Sequence, residues 1–193
     1  MKKEYIVDKI FEKEDFTLTS LIIGEYEDCF FTSCNFSEYD LSGFSFINCE
    51  FKDCNLSLAK LNKTSLQEVK FSGCKLLGLH FDTCNEFSLS FSFDNCLLND
   101  SIFYKLKIKK TSFINSQLRE VDFTETDLSN SVFDNCDLLG ATFEFTNLEK
   151  ADLRTAYNFS IDPETNRLKK ARFSLNGLPG LLNKYDILFD EKI

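Results

Sequence analysis

Eight cysteines, one histidine and 31 carboxylates are the side chains of this 193-residue chain with the capacity for chemistry. Cys29, Cys34, Cys49, Cys54, Cys74, Cys84, Cys96 and Cys136 invite a zinc, redox or disulfide reading. His80 is the single histidine, and no neighbouring residues complete a catalytic triad around it. No Gly-rich phosphate loop, zinc-protease motif or metal-ligand spacing is present. The carboxylates are distributed as spacers. These residues therefore predict no catalytic site, no metal site and no cofactor, and a chain that is not an enzyme.

What positions the cysteines is a repeat. From Ser112 to Phe143 every fifth residue is large and apolar: Phe113, Leu118, Phe123, Leu128, Phe133, Leu138 and Phe143. Two residues before each lies a smaller one: Thr111, Ser116, Val121, Thr126, Ser131, Cys136 and Ala141. A period of five fits neither the 3.6 of a helix nor the 2 of an ordinary strand, and has to be read as a repeat. The register runs from Leu21 to Phe81, resumes at Phe93 and continues to Leu153, while Ile6, Phe11 and Phe16 carry it into the N-terminal segment. All eight cysteines occupy the small position two before a centre, Cys84 only if the register is carried up to the break. Free cysteine suits that position as a small hydrophobe. Cys34, Cys54 and Cys74 share one column, with Cα atoms expected ~4.8 Å apart, but a reducing compartment and parallel side chains argue against a disulfide.

The local pattern, roughly A(D/N)LXX, appears as DLSGFSF (40–46), NLSLAKL (55–61), DLSNSVF (127–133), DLLGATF (137–143) and NLEKADL (147–153). It resembles the pentapeptide-repeat family. That resemblance implies an all-β chain folded as a right-handed quadrilateral parallel β-helix, four pentapeptides to a coil. Sorting the centres at that interval gives one column of Phe31, Phe51, Phe71, Phe93, Phe113 and Phe133, and a second of Phe36, Leu56, Leu76, Leu98, Leu118 and Leu138. A third holds Leu41, Leu61, Phe81, Phe103, Phe123 and Phe143, and a fourth Tyr26, Phe46, Leu66, Phe87, Ile108, Leu128 and Leu148. The columns stay coherent only if two extra residues fall near 82–92, one on each side of Phe87, as a bulge. Residues 1–20 are expected to form a cap or irregular first coil, 21–157 the β-helix of about seven coils and ~35 Å, and 158–193 a closing turn and short capping or dimerisation helix. Gly177 and Pro179 should open that helix, and Leu178, Leu181, Leu182, Tyr185, Ile187, Leu188 and Phe189 supply its apolar surface.

A net charge of −9 and pI near 4.7 argue against an overall phosphate-binding surface, so no direct nucleic-acid binding is expected. No signal peptide and no membrane-length apolar run appear, which predicts a cytoplasmic protein without membrane contact. The stacking interval pairs Lys105 with Glu125, Lys107 with Asp127 and Asp134 with Arg154, so the basic run KLKIKK should be largely neutralised. Glu38, Asp40, Asp82, Asp100, Glu120, Asp122 and Asp137 remain unpaired on or beside the edge between the second and third columns. An acidic edge on a rigid rod can imitate the phosphate charge of duplex DNA.

IFEKEDF and DCFFTSCNF, through Phe11, Glu14, Asp15, Phe16, Cys29 and Cys34, and the closing SIDPETNRLKKARF resemble the Qnr/MfpA-type quinolone-resistance proteins of this family. The resemblance implies a cytoplasmic homodimeric rod, joined through its C-terminus, that binds DNA gyrase or topoisomerase IV as a DNA mimic and confers fluoroquinolone resistance. The projecting loops of many Qnr proteins are absent here. The alternative is an interaction scaffold for a different protein partner.

Overall fold

The computed structural model describes residues 4–188; Phe189, one of the expected capping residues, lies outside them. The chain winds as a right-handed quadrilateral parallel β-helix of about eight turns with little helix. One side is a nine-stranded parallel sheet running from Ile10–Glu12 to Arg172–Phe173. Another is a four-stranded sheet of Glu4–Val7, Gly24–Glu27, Ser45–Ile47 and Ser65–Gln67. The remaining two sides are joined by single bridges such as Asn35↔Asn55 and Ile102↔Asp122. The turn count exceeds the seven expected because the outermost segments also pair in register, Phe11 on Phe31 and Leu153 on Phe173.

Each turn lies on the one below at the strand spacing of ~4.8 Å, so whatever side chain points inward must tolerate a copy of itself at that distance. Phenylalanine does so by offset stacking. In the first column Phe11–Phe31, Phe31–Phe51 and Phe113–Phe133 stack with centroids 4.7, 4.7 and 4.9 Å apart and interplanar angles of 4°, 7° and 6°. The third column repeats this from Phe81 through Phe103 and Phe123 to Phe143. Where columns meet the rings turn edge-on, as for Phe93 against Phe103 at 82°.

The small position two before each centre does more than fill space. Cys49, Cys54, Cys74 and Cys136 donate their thiols to the carbonyl oxygens of Tyr26, Phe31, Phe51 and Phe113 at 3.2–3.3 Å. Thr64, Thr126 and Thr146 give their hydroxyls to Leu41, Phe103 and Phe123 in the same way at 2.7–2.8 Å. A small polar side chain thus finds an acceptor for its own donor inside the coil, which lets Cys and Thr share the position with Ala and Val. All eight cysteines are free and buried. Burial pushes the Cys34 thiol up to about 11, and those of Cys49, Cys84 and Cys136 up to about 12.

The break in register is real but differently built from the expectation. Val69 pairs with Phe91 and Phe71 with Phe93, which places two extra residues in the fourth side. Asn85 still pairs with that side, its Nδ2 donating to Ser65, so the surplus lies after it. Phe87 is therefore not a core centre: it is 74% exposed. Leu89 and Phe91 turn inward in its place, with Phe91 packed 5.3 and 5.1 Å from the rings of Phe81 and Phe93. The four-stranded sheet ends at this point.

At the C-terminal end, the residues expected to open a short helix lie inside a 3₁₀ segment, Leu175–Leu181, which is followed by a second, Asn183–Tyr185. Gly180 is required there, since a Cβ at that position would come within 2.5 Å of the Phe159 carbonyl oxygen. Leu181 packs on the core and Leu182 is half-buried, whereas Leu178, Tyr185, Ile187 and Leu188 are exposed. No helix among the described residues is long and apolar enough to cross a membrane.

Truncating the middle of the first stack should be costly. Phe113→Ala is expected to lower unfolding free energy by about 3–5 kcal/mol in urea denaturation, because the flanking coils cannot collapse into the gap without breaking register. In the native chain at pH 8 none of the eight thiols should react with a disulfide reagent, and all eight should react in guanidinium; rapid labelling of the native protein would contradict the burial described above.

Candidate interaction edge

The carboxylates fall into groups that the sequence does not separate. The first belongs to the fold. The residue before a centre accepts the backbone N–H two positions on: Asp40 from Ser42 at 2.9 Å, Asp122 from Thr124 at 2.8 Å, Asp127 from Ser129 at 3.1 Å. Asn takes the same role at Asn55 and Asn147. These are Asx turns, repeated coil after coil, and they explain the D/N preference of the repeat. Their side chains also join vertically, Asn147 Nδ2 donating to Asp127 Oδ1 at 3.0 Å. The hydroxyl and backbone of Ser42 hold the Asp40 carboxyl below its ordinary value.

Asp137, expected on the exposed acidic edge, is instead buried at 2% exposure. Arg119 Nε donates to its Oδ2 at 2.6 Å, Asn158 Nδ2 to its Oδ1 at 2.8 Å, and the Leu139 N–H to Oδ1 at 3.2 Å. Burial alone would raise its pKa, but these donors outweigh it and the carboxyl lies below the usual range. Arg119, on the same edge, is its counter-ion. Asp82 is half-buried, and its Oδ1, 3.3 Å from His80 Nδ1, has no hydrogen-bond partner among the described residues.

Glu38, Asp100 and Glu120 are the remaining members, and all three are exposed. Each sits two past a centre and turns the corner in the left-handed region, with φ of 58°, 61° and 55°. The corner N–H of one coil donates to the coil above: Asp100 to Arg119 and Glu120 to Leu139, both at 2.9 Å. Asp100 and Glu120 thus stand one above the other without a counter-ion among the described residues. Glu120 leans over Gly140, where any Cβ would overlap its carboxylate. The edge is mixed: the same corner column carries Leu58, 59% exposed at φ 58°. The sequence-derived site reduces to Asp100, Glu120 and the adjoining half-buried Asp122, with Glu38 and Asp40 as a separate pair nearer the N-terminus.

Of the expected ion pairs, Lys105–Glu125 is present at 3.5 Å. Asp127 pairs with Lys109 at 3.3 Å, not with Lys107, although Lys107 and Asp127 are backbone neighbours. The longer reach comes from the outward position one past the centre. Arg154 turns to Asp152 within its own coil, and Asp134 accepts from Thr155 instead. KLKIKK is therefore only half neutralised. Among the described residues no three His, Cys, Asp or Glu side chains are grouped to hold a metal ion.

The pentapeptide repeat region family model matches residues 25–92 and 87–157. Comparison with curated protein sequences gives no match. Among solved structures, full-length QnrB1, a plasmid-mediated fluoroquinolone resistance protein, superposes with a TM-score of 0.54 at 18% identity over 95% of this chain and 100% of that one. HetL, a pentapeptide repeat protein involved in heterocyst differentiation regulation from the cyanobacterium Nostoc, gives 0.34 at 16% identity over 91% and 86%.

Removing the Arg119 side chain strands a buried carboxylate. Arg119→Ala is expected to cost about 1–3 kcal/mol in denaturant unfolding near neutral pH. Because the folded pKa of Asp137 is lowered, its stabilisation is complete above about pH 4 and is lost as pH falls through the folded value. Acid titration of stability should therefore show a shallower fall below that point in Asp137→Asn than in the parent.

Proposed function

The chain belongs to the pentapeptide-repeat family, and from that premise we propose that it is a non-enzymatic protein that binds a type II DNA topoisomerase, gyrase or topoisomerase IV, in place of DNA. The observation that carries this reading is the corner at Asp100 and Glu120, where exposed carboxylates stack like on like without counter-ions among the described residues. Such stacking costs stability in the free protein. Pairing with a cationic groove removes that cost and steers the encounter. A rigid β-helix presents the charges along a straight line, as a duplex presents phosphates, at a lower density than the one per ~1.7 Å of B-DNA. The Qnr-like opening at Phe11, Glu14, Asp15 and Phe16 supports the same partner, and fluoroquinolone resistance would follow from displacing DNA at the drug's target.

A second reading, a scaffold for another protein, draws support from Leu58 and Phe145. Both are exposed and apolar in the left-handed region, φ 58° and 53°, a conformation that bulky side chains adopt at a cost.

Asp100→Lys with Glu120→Lys separates the two. Lysine already occupies the equivalent corner at Lys105 and Lys110, with φ 61° at both, so the exchange adds no backbone strain. The parent is expected to inhibit gyrase supercoiling or protect it from a fluoroquinolone, and the double variant to bind at least about tenfold more weakly. No binding by the parent overturns the topoisomerase reading; undiminished binding by the variant overturns the role of this edge.

A further inference from the structure

The corner between the fourth and first sides lies diagonally across the rod from the acidic edge, and its charges have an order of their own. Reading up the left-handed corner position, one residue per coil, gives Asp8, Asp28, Asn48, Glu68, Ser88, Lys110, Asn130, Lys150 and Lys170. All share the left-handed conformation, with φ between 51° and 62°, and they stack coil on coil except at the bulge, where Ser90 lies level with Glu68 and Lys110 and Ser88 is two residues earlier. The corner N–H makes the same bond to the coil above on both sides of the bulge, Asp28 to Ile47 and Lys150 to Lys169, each at 3.0 Å. The lower half is acidic and the upper half basic. The bulge, with Ser88 and Ser90, is the midpoint.

The order is antisymmetric about that midpoint. Glu68 and Lys110 lie one coil from Ser88, Asn48 and Asn130 two, Asp28 and Lys150 three, Asp8 and Lys170 four. Every anion has a cation at the same distance on the other side, and the neutral amide has a neutral amide. A two-fold axis perpendicular to the rod at the bulge coil brings each position onto its opposite in a second copy, as an isologous interface requires. The geometry points to a side-by-side antiparallel dimer of this chain, joined along the corner between its fourth and first sides by Asp8–Lys170, Asp28–Lys150 and Glu68–Lys110, each formed twice.

Three further features fit that partner. None of these six charged residues takes part in an ion pair among the described residues, and like charges adjoin within each half, Asp8 on Asp28 and Lys150 on Lys170. A monomer bears that repulsion, and the antiparallel copy converts it to attraction. Part of the acidic half is a shallow groove lined by Glu27, Asp28, Asn48, Gln67 and Glu68, into which lysine side chains of the second copy can reach. At the axis stands Phe87, 74% exposed, where two copies of the ring come together as an apolar centre within a charged rim. The two-residue insertion is what places it there. The neighbouring column is less ordered: Glu27 falls opposite Glu149, which Arg167 neutralises at 2.8 Å.

Light scattering and sedimentation of the full chain test the pairing with two charge-reversed variants. One carries Asp8→Lys, Asp28→Lys and Glu68→Lys; the other Lys110→Glu, Lys150→Glu and Lys170→Glu. Lys and Glu both already occupy this corner position, so neither exchange strains the backbone. The parent is expected to have twice the 22.3 kDa chain mass and to dissociate as salt is raised. Each variant alone should dimerise at least about tenfold more weakly, and an equimolar mixture should regain a heterodimer as tight as the parent, which a misfolded variant cannot do. A monomeric parent, dimers that persist in both variants, or a mixture that stays monomeric overturns the proposal. So does a dimer lost in Ile187→Asp with Leu188→Asp but kept in the reversed variants, which would place the contact at the C-terminus.

Discussion

Everything in this molecule depends on one constraint: each coil must accept a copy of itself a strand spacing away. A parallel β-helix of small cross-section has no room for the interlocking of unlike side chains that fills an ordinary core. The interior is filled by groups that stack on themselves. Flat rings do this at under 5 Å, as Phe31 does on Phe51, and the second column does it with buried leucines from Leu56 to Leu138. Tryptophan, absent from the chain, would leave an indole N–H to be satisfied in every coil. The thiols and hydroxyls two residues earlier turn their own donors onto carbonyls of the coil below, so no buried S–H or O–H goes unpaired there.

The same constraint sorts the outward surface. The position before each centre is committed to an Asx turn, so its carboxylates serve the backbone first and a partner second. Asp127 and Asp152 are drawn further into ion pairs with lysine and arginine. The corner position two past the centre is different. Its backbone is held in the left-handed region by hydrogen bonds to the next coil, and its side chain projects outward, free of the turn and the core and at most joined to the corner above or below, as Asn48 is to Asp28 and Asn135 to Asn115. Identity there is free to vary. For that reason the two charge patterns that carry the functional argument, at Asp100 and Glu120 and at Asp8 to Lys170, are both found on corners.

Much of this was legible in the sequence. The fivefold period gives the inward positions, and stacking them coil by coil gives the columns and the extra two residues, because burial acts on residue type directly. The failures have a common cause. Phe87 was placed in the core by its spacing, but a bulge offers several ways to thread the surplus, and Leu89 with Phe91 fill the interior better. Asp137 was placed on the surface because its position is outward on average; Asn158 and the long side chain of Arg119 close over it. Lys109 displaces Lys107 because side-chain reach, not backbone register, decides an exposed pair. Sequence periodicity fixes Cα positions on a solenoid, and it does not decide where flexible side chains end.

The two corners lie diagonally across the square cross-section, and the separation has a physical consequence. At physiological salt the Debye length is about 8 Å, shorter than the path across a β-helix, so the charge on one corner scarcely perturbs the other. A net charge of −9 is therefore a poor guide to this surface. The corner column of one edge carries carboxylates and uncharged residues without a cation, while the opposite edge holds equal numbers of corner anions and cations in ordered halves. Association along the second edge leaves the first fully exposed on both outer flanks of the pair. A dimer joined end to end would instead lengthen the rod and continue a single acidic line. The direction of assembly thus decides whether a partner meets one long edge or two short ones facing opposite ways, and that choice is written in nine corner residues that contribute almost nothing to the core.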